Sequence, residues 1–257
     1  FGLTPSIVVG IIDKDGMHFY SFGTKTVGGE PVDEHSIYEI GSISKTFTAT
    51  LLADNIVKGK MKVDDPISKY LPASVKVPTY KGGGPPITLG HLSDHTSSML
   101  RMPTNMPESD PTDPAADYTP ELMYAFLSSY ELPREVGSEY EYSNFAVGVL
   151  GQIQALAAGT SYEEALTSVI TSPLKMKETA ITLSPKMKEN LAVGHSMGMP
   201  VNNWDLNAMQ GAGGIRSSAH DMLLYLSANL GLTKSQLSKA MELTHTPRHD
   251  KAGRQIG

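Results

Sequence analysis

Ser42 and Lys45 stand three residues apart in EIGSISKTF (39–47), where a β-prone run reaches a glycine and an apolar helical repeat begins. On a helix that spacing puts a hydroxyl and an amine on one face, a turn apart. A serine beside an unprotonated amine is a nucleophile with its base, and the unpaired backbone N–H groups of a helix start favour a developing oxyanion. The same residues have a plainer reading, with Ser42 as a helix cap and Lys45 as a solvated surface lysine. The catalytic reading requires Lys45 to be desolvated or set near another positive charge, so that its pKa falls. Ile43, Phe47 and the adjoining sheet are the expected dry surroundings.

A second proton-handling group is offered by Tyr142-Ser143-Asn144, the one Tyr-x-Asn in the chain, within EYEYSNFAVGVLG just ahead of an apolar helical run. In such a loop Tyr142 can aim its phenol, and Asn144 its amide, into a cleft. Their plainer alternatives are a buried tyrosine with a satisfied hydroxyl and a helix cap. Rival signals exist. Ser172-Pro-Leu-Lys175 repeats the Ser-x-x-Lys pattern, but before a proline at the end of a helical stretch, where no donor-rich helix start is available. GHSMG (194–198) fits the Gly-x-Ser-x-Gly of a nucleophile elbow, yet Pro200 and the polar VNNWD follow Ser196 instead of a helix. His91 and His95, with Asp94 between them, could set two imidazoles on one helix face for a metal, without an evident third ligand. Asp13, Asp15 and Gly16 lack the spacing of a calcium loop and suit a hairpin turn.

The elements that must hold these groups are legible in part. SIVVGII (6–12), the turn DKDG and MHFYSFG (17–23) predict a β-hairpin. Ile43, Phe47, Leu51, Leu52 and Ile56 recur at helical spacing as far as Gly59, predicting an amphipathic helix from Ser42. Residues 61–120 are dense in Pro, Gly and Asp and read as long loops with short helices. Within them Arg101–Pro120, with Met99, Met102 and Met106 near its start, is expected to be a mobile flap over the cleft. Helices are expected at 119–130, at 161–170 and from Ser218, with a return toward the sheet near residue 211.

Composition bounds the partners. A chain of 257 residues with 40% hydrophobic content can bury a core, as one large domain or two small ones. Net charge is −6 with no basic run, which argues against nucleic acid and anionic membrane surfaces. No apolar stretch has bilayer length, and Phe1 leads almost directly into a strand, so no signal peptide is expected at this start. The absence of cysteine removes disulfides, thiolate zinc sites and cysteine nucleophiles together, and suits periplasm and cytosol equally.

Five ordered blocks, IGSISKTFTA (40–49), KVDDPISKYLP (62–72), ITLGHLSDHTSSM (87–99), YSNFAVGVLG (142–151) and GAGGIRSSAHDM (211–222), make the chain resemble the serine β-lactamase and penicillin-binding-protein-like family. The resemblance is to its class C branch, which also holds esterases and D-amino-acid peptidases. It implies an α+β fold: an antiparallel sheet flanked by helices, formed by residues 1–60 and 211–257, with a mainly helical domain at 61–210 and the site at their junction. It implies Ser42 as the acylated nucleophile, Lys45 as proton acceptor, Tyr142 as general base or acid and Asn144 as a positioner of substrate and lysine. Whether Lys45 or Tyr142 takes the first proton stays open. No metal or other cofactor is implied, and a periplasmic or secreted location is favoured.

The implied activity is that of a serine hydrolase forming an acyl-enzyme with a β-lactam or related amide as small-molecule substrate. A carboxylesterase or D-alanyl-D-alanine peptidase would use the same residues, and a non-catalytic β-lactam-binding or sensor-like domain would stop at the bound state. One oxyanion donor is expected to be the Ser42 amide. The other is expected on a strand with a Lys/His-x-Gly motif that lies beyond KAGRQIG. The missing strands are accordingly expected from a second polypeptide, a cleaved C-terminal piece or a continuation of the chain.

Overall fold

The structure is a computed structural model that describes residues 4–107, 109–249, 253 and 255–256. The chain opens with β1 (Ser6–Asp13), β2 (Gly16–Gly23) and β3 (Ile37–Glu39), then α1 (Ser44–Val57), α2 (Leu89–Ser93) and α3 (Pro120–Ser129). There follow α4 (Asn144–Ala158), α5 (Tyr162–Leu166), α6 (Pro185–Glu189) and the short hairpin of β4 (Gly194–Ser196) and β5 (Met199–Val201). The last elements are α7 (Gln210–Gly213), β6 (Arg216–Ser218), α8 (Ala219–Asn229), α9 (Ser238–Thr244), β7 (Arg248–His249) and β8 (Gln255–Ile256). No helix among the described residues is long and apolar enough to cross a membrane.

β1 and β2 pair antiparallel with Ser6 opposite Gly23. Their turn closes through the Asp15 amide, which donates to Asp13 Oδ1 at 2.8 Å, and Gly16 supplies a φ of 124° that side chains resist. Asp13 and Asp15 are therefore turn residues. Burial alternates along β1 as the pleat requires: Ile7, Val9 and Ile11 face out, while the other face meets α8, where Gly10 lets the Leu223 side chain approach the backbone.

β3 pairs antiparallel with β6, Glu39 opposite Arg216, so the chain returns to a sheet at Arg216; the helix α7 occupies residues 210–213 ahead of it. Beyond β3 the Ile40 amide donates to Ile215 O at 3.1 Å, and the Ile215 amide donates to Ser44 Oγ at 3.2 Å. This clasp fixes the start of α1 against β6. Ser42 sits in a 3-10 turn, Gly41–Ile43, and α1 proper begins only at Ser44. Ile43 is 49% exposed, so the apolar stripe of α1 starts at Phe47, four residues later than its sequence pattern suggests.

Two apolar clusters make up the described core. One gathers Leu52 of α1, Leu89 and Leu92 of α2, Met123 and Leu127 of α3, and Phe145, Val149 and Ile153 of α4. The other gathers Phe47 and Leu51 of α1 with Tyr162, Leu166, Tyr225 and Met241. α1 thus serves both, and Phe47 stacks on Tyr225 with ring centroids 4.1 Å apart. Met99 is 1% exposed within the first cluster, and Tyr118 and Ala115 are buried there too. Arg101–Pro120 is consequently held down at both ends by core side chains, and Met99 belongs to the core instead of a flap.

α7 meets α4 at two glycines: a Cβ on Gly211 would lie 3.0 Å from Gly151 Cα, and one on Gly151 3.1 Å from Gly211 Cα. Thr48 of α1 locks the same spot by donating to Gly211 O at 2.8 Å. Gly211→Val must therefore push α7 off α4. The expected cost is about 1–3 kcal/mol in unfolding free energy, read as a lowered denaturant midpoint. A midpoint equal to wild type would show that the helices separate freely.

Candidate active site

α1 and α4 pack side by side, and both begin at the same place. The Ser143 hydroxyl caps α4 by accepting from the Ala146 amide at 2.9 Å, leaving Asn144 as its first residue and Tyr142 just outside. Residues 100–101 pin that start: Ser143 Oγ donates to Leu100 O at 2.6 Å, and the Asn144 amide to Arg101 O at 2.9 Å. The four residues expected from sequence come together here.

Ser42 Oγ is exposed and receives two groups: the Tyr142 hydroxyl donates to it at 2.5 Å and Lys45 Nζ lies 3.1 Å away. Lys45 Nζ also donates to Asn144 Oδ1 at 2.8 Å and to the Ala212 carbonyl at 2.6 Å. Those two oxygens are pure acceptors. When the amine is neutral they take its two N–H bonds, and its lone pair is left facing Ser42. The neighbouring Ser44, by contrast, is fully buried with its oxygen accepting from Ile215.

Burial depresses the Lys45 pKa, opposed by its bond to Tyr142 and helped by the charge of Arg101. The dry setting comes from the head of α4 and from α7, since Ile43 points to solvent. For Tyr142 burial alone would raise the phenol, but the bonds from Lys45 and Ser42 and the charges of Lys45 and Arg101 outweigh it and bring it down. Both cations lie over the Tyr142 ring, Lys45 Nζ at 4.8 Å and the Arg101 guanidinium at 5.0 Å from its centroid. A cavity of about 630 Å³ opens beside Lys45 and His95, walled by α1, α2 and the Leu243–Thr246 end of α9.

Arg101 and Ala212 were not separable from ordinary surface and core residues in the sequence, and His95 drew notice there only as a metal-ligand candidate. His95 is buried at 8% exposure, and its ring tilts against Tyr142 at 4.5 Å between centroids. Its Nδ1 accepts from the Ser143 amide at 3.1 Å, and its φ of 62° is the left-handed conformation that His and Asn tolerate. His91 spends its own Nδ1 on Thr88 at the cap of α2. The two histidines therefore hold backbone of different segments and do not converge as metal ligands.

The other rivals fall away on geometry. Ser172 and Lys175 close a surface turn, the Lys175 amide donating to Ser172 O at 3.1 Å with Lys175 at φ 61°. Ser196 is the exposed end of a short, otherwise half-buried strand whose hairpin tip, Met197, is 99% exposed, with no helix following.

A serine, a lysine whose pKa burial lowers and a tyrosine whose pKa is also lowered thus converge at one helix junction on an α+β scaffold. The sequence profile of the Beta-lactamase family matches residues 2–256, and the chain belongs to that family. It is 32% identical over 244 residues to the D-alanyl-D-alanine-carboxypeptidase/endopeptidase AmpH of Escherichia coli (strain K12), covering 94% of this chain and 62% of that protein. It is 28% identical over 252 residues to a beta-lactamase of Pseudomonas fluorescens, covering 93% of this chain and 64% of that one. The chain thus spans a little over three fifths of the length of these curated relatives. Among solved structures, a class C beta lactamase from Rhodobacter sphaeroides superposes with a TM-score of 0.80 at 28% identity, over 95% of this chain and 67% of that one. A beta-lactamase/D-alanine carboxypeptidase from Yersinia pestis gives 0.82 at 27%, over 93% and 68%. The fold is that of the β-lactamase and transpeptidase structures.

His95 makes a measurable demand on pH. Burial, with the Lys45 charge, lowers its pKa to about 4 from 6.5. The unfolded chain therefore takes up the proton first as pH falls, so the stabilisation present above pH 6.5 is lost on the way down to about 4. His95→Asn, which keeps an acceptor and tolerates the backbone, should flatten this part of the stability curve by about 2–3 kcal/mol in chemical denaturation at a series of pH values. An unchanged pH slope would mean that His95 titrates freely in the fold.

Proposed function

We propose that the protein is a serine hydrolase that forms an acyl-enzyme through Ser42 on a β-lactam or a related amide. The observation that supports this most directly is the convergence of Lys45 Nζ and the Tyr142 hydroxyl on Ser42 Oγ, at 3.1 and 2.5 Å. In the proposed first step neutral Lys45 takes the Ser42 proton as Oγ bonds to the substrate carbonyl carbon, and the carbonyl oxygen becomes the oxyanion. Tyr142 then gives its proton to the amide nitrogen as the C–N bond breaks, and the resulting phenolate lies beside the new ammonium. Proton return from Lys45 to Tyr142, whose groups already interact, resets the amine. In the second step water attacks the ester carbonyl carbon with its proton passing to neutral Lys45, and as the C–O bond to Ser42 breaks the ammonium hands that proton to Ser42 Oγ, releasing the acid and restoring the amine. Asn144 holds Lys45 in register and offers its amide to the substrate; its Nδ2 rests against Met102 Sδ at 3.4 Å.

The Ser42 amide is the proposed first oxyanion donor. We place the second on a further strand, from a continuation of the chain or another polypeptide, a reading supported by β1 and β2 pairing only with each other among the described residues, which leaves sheet edges for a strand to join. The D-alanyl-D-alanine peptidase reading is favoured by the likeness to the AmpH carboxypeptidase, and the carboxylesterase and the non-turnover sensor use the same residues. Comparing turnover of nitrocefin, a D-Ala-D-Ala peptide and a p-nitrophenyl ester separates the three hydrolases, and stoichiometric trapping without product marks the sensor.

Ser42→Ala is expected to abolish covalent labelling by a fluorescent penicillin, while Ser172→Ala and Ser196→Ala label normally. Tyr142→Phe should slow acylation about 10²- to 10⁴-fold, the usual contribution of one general acid or base. Labelling that survives Ser42→Ala would move the nucleophile elsewhere.

Acylation should also rise with pH along a limb below the ordinary lysine value of 10.5, since the amine must be neutral. Arg101→Ala removes a positive charge that favours the deprotonated amine and the phenolate alike, so the limb should shift to higher pH. A limb that stays put or moves down, in a stopped-flow pH series, would exclude Arg101 from tuning the site.

A further inference from the structure

His35, Glu178 and His220 are far apart in sequence, yet each offers a ligand atom within 4.8 Å of the others. They gather at one end of the β3–β6 pair. His35 precedes β3 in a turn where its own amide donates to Asp33 Oδ1 at 3.0 Å. Glu178 is set by its amide, which donates to Asp221 Oδ2 at 2.7 Å, and by Ser218, whose hydroxyl donates to its Oε2 at 2.7 Å. His220 opens α8, with its amide donating to Glu34 O at 3.0 Å. Backbone and side-chain bonds thus fix all three before any ligand arrives.

The donor set is specific. His35 Nδ1 lies 3.0 Å from a Glu178 oxygen, and the rings of His35 and His220 are 5.4 Å apart. Asp221 Oδ1 stands 3.2 Å from His220 Nδ1, which favours the tautomer with that proton inward and Nε2 open. A carboxylate behind a histidine is the arrangement that orients imidazole toward a metal. Two imidazoles and one carboxylate suit Zn²⁺ or its neighbours Co²⁺ and Ni²⁺, and leave a position for water. Access is open, since the side chains of His35, Glu178 and His220 are 46%, 21% and 37% exposed.

We propose that His35, Glu178 and His220 form a site for one borderline divalent cation, Zn²⁺ in the first instance, that clips the entry to β3, the segment ahead of Ala180 and the start of α8 together. β3 runs directly into the turn carrying Ser42, so the clip braces the strand behind the nucleophile while taking no part in acyl transfer. The ion replaces the proton shared between His35 and Glu178, and that proton leaves to solvent on binding.

The test is titration of chelator-stripped protein with Zn²⁺ by calorimetry at about pH 7.5, where unperturbed imidazole is mostly neutral, with Co²⁺ absorption as an independent readout. Expected are one Zn²⁺ per chain, visible Co²⁺ bands of a four- or five-coordinate imidazole site, and a higher melting temperature with Zn²⁺. His35→Gln, His220→Gln and Glu178→Gln should each weaken Zn²⁺ binding at least about tenfold and remove the melting shift, while His195→Gln keeps both. Glutamine at the partly exposed His35 and His220 keeps the metal-free melting temperature as the check on folding. No binding at about 0.1 mM Zn²⁺, or an affinity unchanged in both histidine variants, overturns the proposal.

Discussion

One amine orders this molecule's site. Lys45 Nζ is drawn out of water against two carbonyl oxygens, one from the head of α4 and one from α7, and the remaining direction is Ser42. A buried ammonium is costlier than a buried amine with two acceptors, so the surroundings shift the balance toward the form that can receive a proton. Satisfying that amine requires three elements to stop within an ångström or so of fixed positions. The Gly151–Gly211 contact lets α7 come close enough, and Thr48 and Ser44 of α1 tie it and the approach to β6 in place.

Tyr142 is the complementary part. Its phenol meets Ser42, and its ring is bounded by His95, Lys45 and Arg101. Because burial lowers the His95 pKa to about 4, its Nδ1 keeps accepting from the Ser143 amide near neutral pH and helps to hold the loop before α4 in place. Polar chemistry at the surface thus rests on a buried, unionised imidazole.

The local patterns were the readable ones. The β1–β2 hairpin, the capped starts of α3, α5 and α8, and the Ser-x-x-Lys and Tyr-x-Asn pairs each declare themselves within a few neighbouring residues. The start of α1 was misjudged because Ile43 fits the apolar repeat while the 3-10 turn at Gly41 rotates it outward. Met99 looked like loop because proline-rich sequence follows it, although its side chain is core. Ala212 contributes only a carbonyl, which any residue possesses, and Arg101 acts through position alone. His35, Glu178 and His220 share no spacing at all, so only the folded chain brings them together.

The long sequence reach of these bonds also sets an order in time. Lys45 meets Asn144 across 99 residues and Ala212 across 167, far beyond the reach of a single helix or hairpin. Closing such large loops is slow and draws on the free energy of both apolar clusters. Lys45 leaves water only once segments this distant in sequence have met. The arrangement around its amine is therefore a product of the whole chain, and no more durable than the packing that holds α1 and α4 together.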